Sequence, residues 1–171
     1  MYKKILVPLD GSKLAEAALP HARALAKCMD AEIVLLRDVG VPMYTASPLS
    51  PTTTVKVYSA ELIHTQVCNT LKELAIPLRA DGLTVSSETC GEGLAAESIL
   101  SCATRRGIDL IVMSTHGRSG VTRWLMGSVA DKIVQGAKAP VLLIPPVQGD
   151  KSDEIASMRA DELSADSKWI V

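Results

Sequence analysis

A chain of 171 residues, 47% apolar and 22% charged, is long enough for one core of ordinary size and too short to expect two. The formal net charge of −1 lacks the basic excess that neutralises a phosphate backbone, so nucleic-acid wrapping is excluded as a leading reading and any phosphate chemistry must be local. With no Phe and 3% aromatic residues, the core must be built from Val, Ile, Leu and Ala, which suits close packing of helices on a sheet.

Met1 is followed at once by Tyr2-Lys3-Lys4 and a short strand-like run, neither a signal-peptide apolar region nor a membrane span, so a cytoplasmic protein is expected. Ile5-Leu6-Val7-Pro8-Leu9 is the first predicted strand. Leu14, Ala17, Ala18, His21, Ala22 and Leu25 then recur at helical spacing behind Ser12 as N-cap, with a bend expected at Pro20. Glu32 to Leu36 is the second strand, nearly continuous in apolar character, as for a strand covered on both faces. Val41 to Val57, with Pro42, Pro48, Pro51 and three consecutive threonines, reads as a long mobile loop placed to lie over a pocket.

A second helix is predicted to bury Leu62, Ile63, Val67, Leu71 and Leu74, to be shortened by Pro77 and to end near Gly82. Leu83 to Ser87 is a weaker third strand. A third helix from about Leu94 to Arg106, burying Ala95, Ile99, Cys102 and Ala103 and closed by Gly107, leads to the fourth strand, Asp109 to Met113. The fourth helix, about Gly127 to Ala137, precedes the fifth strand, Val141 to Ile144, bounded by Pro140 and Pro145. Strands alternating with helices predict an α/β fold: an open five-stranded parallel sheet with helices on both faces, Rossmann-like. Residues 1–147 are read as this domain and 148–171 as an appended C-terminal tail. Cys28, Cys68, Cys90 and Cys102, without C-x-x-C or zinc spacing, read as unpaired core thiols.

The stretch from Ser114 to Val129 carries the chemistry. It joins the fourth strand to the last helix, and open parallel sheets bind ligands beyond the carboxyl ends of their strands. Gly117 permits close approach of a phosphate, and Gly127 with Ser128 would present N–H groups at a helix N-terminus, an anion cradle without a lysine. The competing reading is that Gly117, Gly120 and Gly127 only allow turns. No Walker sequence and no G-x-G-x-x-G after the first strand is present, which disfavours a P-loop enzyme or a dehydrogenase.

Ser114, two residues, Gly117, nine residues, then Gly127-Ser128 resembles the universal stress protein pattern, with serine in place of its first glycine. Lys3-Lys4-Ile5-Leu6-Val7-Pro8-Leu9-Asp10-Gly11-Ser12 and Ala139-Pro140-Val141-Leu142-Leu143-Ile144-Pro145 resemble the same family's two ends. The resemblance implies an ATP-binding regulatory module of the adenine nucleotide alpha hydrolase-like class, possessing no catalytic residues and no dedicated metal ligands, though Mg2+ could accompany the ATP. It implies Pro8 and Asp10 at adenine and ribose, Met113 and Ser114 beside the nucleoside, and His116, Gly117, Arg118, Gly127, Ser128 and Val129 around the phosphates. Asp38 falls where the family has an apolar adenine contact. Family members commonly pair through the last strand, so a homodimer through Val141 to Ile144 is expected. Asp10-Gly11-Ser12 is equally a turn-and-cap sequence, His116 a loop histidine, Arg118 and Arg123 a solvated pair, and Trp124 a hydrophobic plug. A stress protein acting only through protein contacts and a slow ATPase with His116 near the phosphates remain the alternatives.

Overall fold

The computed structural model describes residues 1–39, 54–91, 94–115 and 126–145, and for residues 54–61 the backbone only. The elements are β1 (Lys4–Leu9), α1 (Lys13–Glu16), α2 (Ala18–Met29), β2 (Glu32–Asp38), α3 (Thr54–Ala80), β3 (Val85–Cys90), α4 (Ala95–Arg106), β4 (Leu110–Ser114), α5 (Ser128–Gly136) and β5 (Val141–Ile144). All four strand pairings are parallel, in the order β3-β2-β1-β4-β5. Right-handed crossovers therefore run one way from β1 through β3 and the other way from β4 to β5.

Alternation along the strands sorts the core into two layers. Ile5, Val7, Leu9, Ile33, Leu35, Leu110 and Val112 pack under α1, α2 and α3, whereas Leu6, Val34, Leu36, Ile111 and Met113 pack under α4 and α5. Ala18, Ala22 and Ala26 of α2 are all wholly buried, so small side chains let that helix approach the sheet closely in a core without Phe.

The first predicted helix is two helices. Ser12 caps α1 by accepting from the Ala15 amide at 3.1 Å, as expected. The break falls at Ala17, because Pro20, in the first turn of α2, has no N–H to extend the helical ladder and its ring would crowd the Glu16 carbonyl. In α4, Ala96 rather than Ala95 joins Ile99 and Cys102 in the core, and Gly107 ends the helix at φ 62°. Of the four free cysteines only Cys102 is buried, so the expectation of four core thiols holds for one.

α3 departs most from expectation. It starts at Thr54, so residues 54–57 are helix rather than loop, and Pro77 does not shorten it. Pro77 and Glu73 both face solvent, where water can satisfy the carbonyl that loses its partner. The buried stripe is Val67, Leu71, Ala75 and Leu78, with Leu74 partly buried, while Leu62 is 63% and Ile63 38% exposed. Length explains this: 27 residues of helix span about 40 Å, against about 20 Å for the six residues of β3, so the amino-terminal half overhangs the carboxyl edge of the sheet. β3 itself runs from Val85 to Cys90, displaced toward the carboxyl side of its prediction because Gly82, at φ 83°, closes the turn after α3 before the chain can extend.

Candidate functional site

β1 and β4 are neighbours at the point where the winding reverses, and in open α/β sheets the crevice beyond that point is the ligand position. The Lys3 carbonyl accepts from Glu32 N–H at 2.8 Å toward β2, and the Lys4 carbonyl accepts from Asp109 N–H at 3.0 Å toward β4. By alternation, Leu6 and Pro8 also address β4, so the donor that proline lacks falls on that side. The β1–β4 register accordingly holds only Ile5↔Leu110 and Leu6↔Ile111, whereas β1 stays paired with β2 as far as Leu9↔Arg37. The β1–β4 hydrogen-bond ladder therefore ends two residues before Pro8, at Leu6, below Asp10 and Thr115.

Pro8, Asp38 and Met113 lie on the α4/α5 face of the sheet, in the layers of Leu6, Leu36 and Ile111. Ser114 alternates to the other face with Leu110 and Val112 and is 6% exposed. A serine in place of glycine therefore adds a buried side chain on the α1 and α2 side of the sheet.

The start of α5 is clamped to this edge by a residue that the sequence reading passed over. Thr115 N–H donates to the Ile144 carbonyl at 2.9 Å, and the Thr115 carbonyl accepts from Gly127 N–H at 2.9 Å. The Gly127 amide is thus committed, contrary to its predicted exposure toward an anion. The first helical bond is Asp131 N–H to the Gly127 carbonyl at 3.0 Å, so Ser128, Val129 and Ala130 carry the first-turn amides, and Gly127 provides no side-chain cap. Gly127 has φ −59° and ψ 147°, open to any residue, so what glycine contributes there is the absence of a side chain. Asp131 would oppose an anion at this helix end, but its carboxylate accepts from Gln135 Nε2 at 2.8 Å, one turn toward the carboxyl end. Thr115 had one sequence signal, its place between the motif residues Ser114 and His116.

Asp10 acts in the turn. Its Oδ1 accepts from the Ser12 amide at 2.9 Å and from the Ser12 hydroxyl at 2.6 Å, and that hydroxyl in turn caps α1. Asp38 registers with Cys90 on β3. Burial, and secondarily the Asp38 charge, pushes the Cys90 thiol above its ordinary pKa, which keeps the thiol protonated and unreactive at neutral pH. His116, Gly117 and Arg118, together with Arg123, Trp124 and the tail from 148, lie outside the described residues. Among the described residues no group of His, Cys, Asp and Glu could hold a metal ion, and no helix is long and apolar enough to cross a membrane.

An open parallel sheet whose winding reverses between β1 and β4, with a helix N-terminus beside that point, defines a doubly wound α/β protein. The universal stress protein family pattern matches residues 1–145, and the chain belongs to that family. Universal stress protein MJ0531 of Methanocaldococcus jannaschii is 33% identical over 144 residues, covering 84% of this chain and 82% of that one. Universal stress protein YxiE of Bacillus subtilis is 32% identical over 151 residues, covering 84% and 99%. Among solved structures, protein MJ0577 of M. jannaschii superposes with TM-score 0.75 at 26% identity over 87% of this chain and 99% of that one. UspA from Lactobacillus plantarum gives 0.72 at 25% over 84% and 97%. A universal stress protein in complex with cAMP shares the fold at TM-score 0.57 and 20% identity, over 85% of this chain and 98% of that one.

Proposed function

We propose that this chain is a nucleotide-dependent regulatory module that holds ATP, with or without Mg2+, in the crevice between β1 and β4. The observation that carries this reading is the α5 N-terminus, without a side-chain cap, beside the point between β1 and β4 where the winding of the sheet reverses. Adenine would lie against Pro8 and Met113, with Asp38 accepting from its amino group. Asp10 and the Ser114 backbone would border the ribose. The phosphates would meet the amides of Ser128 and Val129, with Gly127 leaving space and His116, Gly117 and Arg118 closing the site from the connecting segment. The fold shared with a cAMP-bound universal stress protein is compatible with an adenine nucleotide as ligand class. On this reading residues 1–147 are the domain and 148–171 an appended tail, the protein works in the cytoplasm, and it pairs with a second copy through β5, where Leu142 is 37% exposed on an edge strand.

Titration calorimetry with ATP and Mg2+, with mass spectrometry of ligand released from the purified protein, tests the reading: micromolar binding is expected. Gly127→Val, which needs no backbone change, should abolish it by filling the cradle; binding that survives, or a wild type that binds no adenine nucleotide, overturns it. Light scattering at the mass of one 18.2 kDa chain would overturn the dimer.

One observation favours a second reading, that the protein acts through protein contacts without nucleotide: Asp10 Oδ1 is already held twice by Ser12, and a carboxylate, Asp38, stands at the adenine end. The calorimetry separates the two. Slow hydrolysis would show as phosphate release lost in His116→Ala.

A further inference from the structure

Arg37 lies in the layer of Ile33 and Leu35, at the carboxyl end of β2. Its guanidinium runs across Gly11, where a Cβ would come within 2.7 Å of the Arg37 Cζ. Gly11 has φ 87°, so the turn after β1 both requires glycine and makes space for this side chain. Among the described residues the enclosed Arg37 Nε meets no hydrogen-bond acceptor and no carboxylate reaches the guanidinium within ion-pair distance. At Nε the guanidinium has given up hydration without a replacement, and its planar fork of donors matches a carboxylate in two-point contact.

Above it opens a groove of about 440 Å³ along one flank of α3. Arg37 lies at one side; Ile63 and Val67 supply apolar wall, Gln66 and Asn69 supply amides, and Glu73 supplies one negative charge. The volume is within the range of small-ligand sites. One cation and one anion on a shared wall suit a ligand that carries both signs, while Glu73 repels a multiply charged phosphate. We propose that this groove binds a small zwitterion of the α-amino acid class, Arg37 holding its carboxylate, Glu73 its ammonium group and Ile63 and Val67 its hydrocarbon part. The proposal does not rest on the nucleotide reading, since Arg37 and the α3 residues that line the groove have no part in that reading.

The test takes the full chain and measures unfolding temperature and ligand-observed NMR with each free amino acid, its amine-free carboxylic acid, and inorganic phosphate. Saturable millimolar or tighter binding of at least one amino acid is expected. Arg37→Met should weaken it about tenfold or more, Arg37→Lys less, because it keeps the charge and loses the fork. Glu73→Gln should weaken the amino acid about as much while leaving the amine-free acid unchanged. A circular dichroism spectrum like that of wild type in Arg37→Lys guards against a folding defect. The proposal is overturned if no amino acid binds, if Arg37→Met binds as tightly as wild type, if phosphate binds as tightly as the amino acids, or if ATP displaces the amino acid.

Discussion

Asp10 is where folding and ligand binding can be pulled apart by two substitutions of one residue. Asp10→Ala removes the Oδ1 that accepts from the Ser12 amide at 2.9 Å and from the Ser12 hydroxyl at 2.6 Å. The hydroxyl still reaches the Ala15 amide at 3.1 Å but is no longer oriented, so the α1 cap weakens with the turn. Hydrogen bonds to a charged group contribute about 1.5–3 kcal/mol each when buried, and half-exposure lets water replace part of that, leaving a cost of about 1–2 kcal/mol for the pair. In a domain of this length that lowers the unfolding temperature by about 2–8 °C. Asp10→Asn keeps an acceptor oxygen in the same place and should stay within about 0.5 kcal/mol of wild type. Urea unfolding followed by circular dichroism reads both. If Asp10→Ala unfolds at the wild-type midpoint, or Asp10→Asn falls as far as Asp10→Ala, the turn-and-cap role is refuted. The same two proteins then inform the nucleotide reading: Asp10→Asn, folded and capped, should bind ATP about tenfold more weakly if the carboxylate charge faces the ribose hydroxyls.

Ile133, wholly buried where α5 meets the sheet, should cost about 2–5 kcal/mol when cut to Ala, measured by the urea midpoint, and a loss under about 1 kcal/mol would mean that α5 is not anchored there. Gly107→Ala meets no atom within 4 Å but must hold φ 62°, so it should cost about 1 kcal/mol from backbone strain alone, and a neutral result would contradict the left-handed end of α4. The Lys3 and Lys4 amides, donating to the Asp109 carboxylate at 2.7 and 2.9 Å, hold its pKa below the ordinary aspartate range against an opposing desolvation. A depressed folded pKa gives stability that is present above the unfolded value and lost as pH falls through the folded one. Asp109→Asn should therefore be less stable than wild type at neutral pH, with the gap closing below about pH 4, and a gap unchanged down to pH 2.5 would refute that account.

The parallel strands were legible because a strand buried on both faces must be apolar nearly throughout, and Ile5 to Leu9, Glu32 to Leu36 and Leu110 to Met113 announce themselves that way. Ser12 as a cap and Gly107 as a stop were legible for the same reason: each acts on backbone within a few residues of itself. The motif residues Gly127 and Ser128 also stood out, but what their amides do did not, because the acceptor for Gly127 N–H is Thr115, brought there by the sheet. Leu62 and Ile63 misled because periodicity records which residues share a helix face and carries no information on whether a sheet lies beneath.

By itself, then, the chain determined the order and kind of its elements, their caps, and its family, all of which are written in local patterns of a few residues. The packed fold alone decided three things: that the β1–β4 ladder ends before Pro8, that Thr115 clamps α5, and that Arg37 lies over Gly11 with no acid partner among the described residues. Each is a relation between residues apart in sequence that only the assembled sheet brings together.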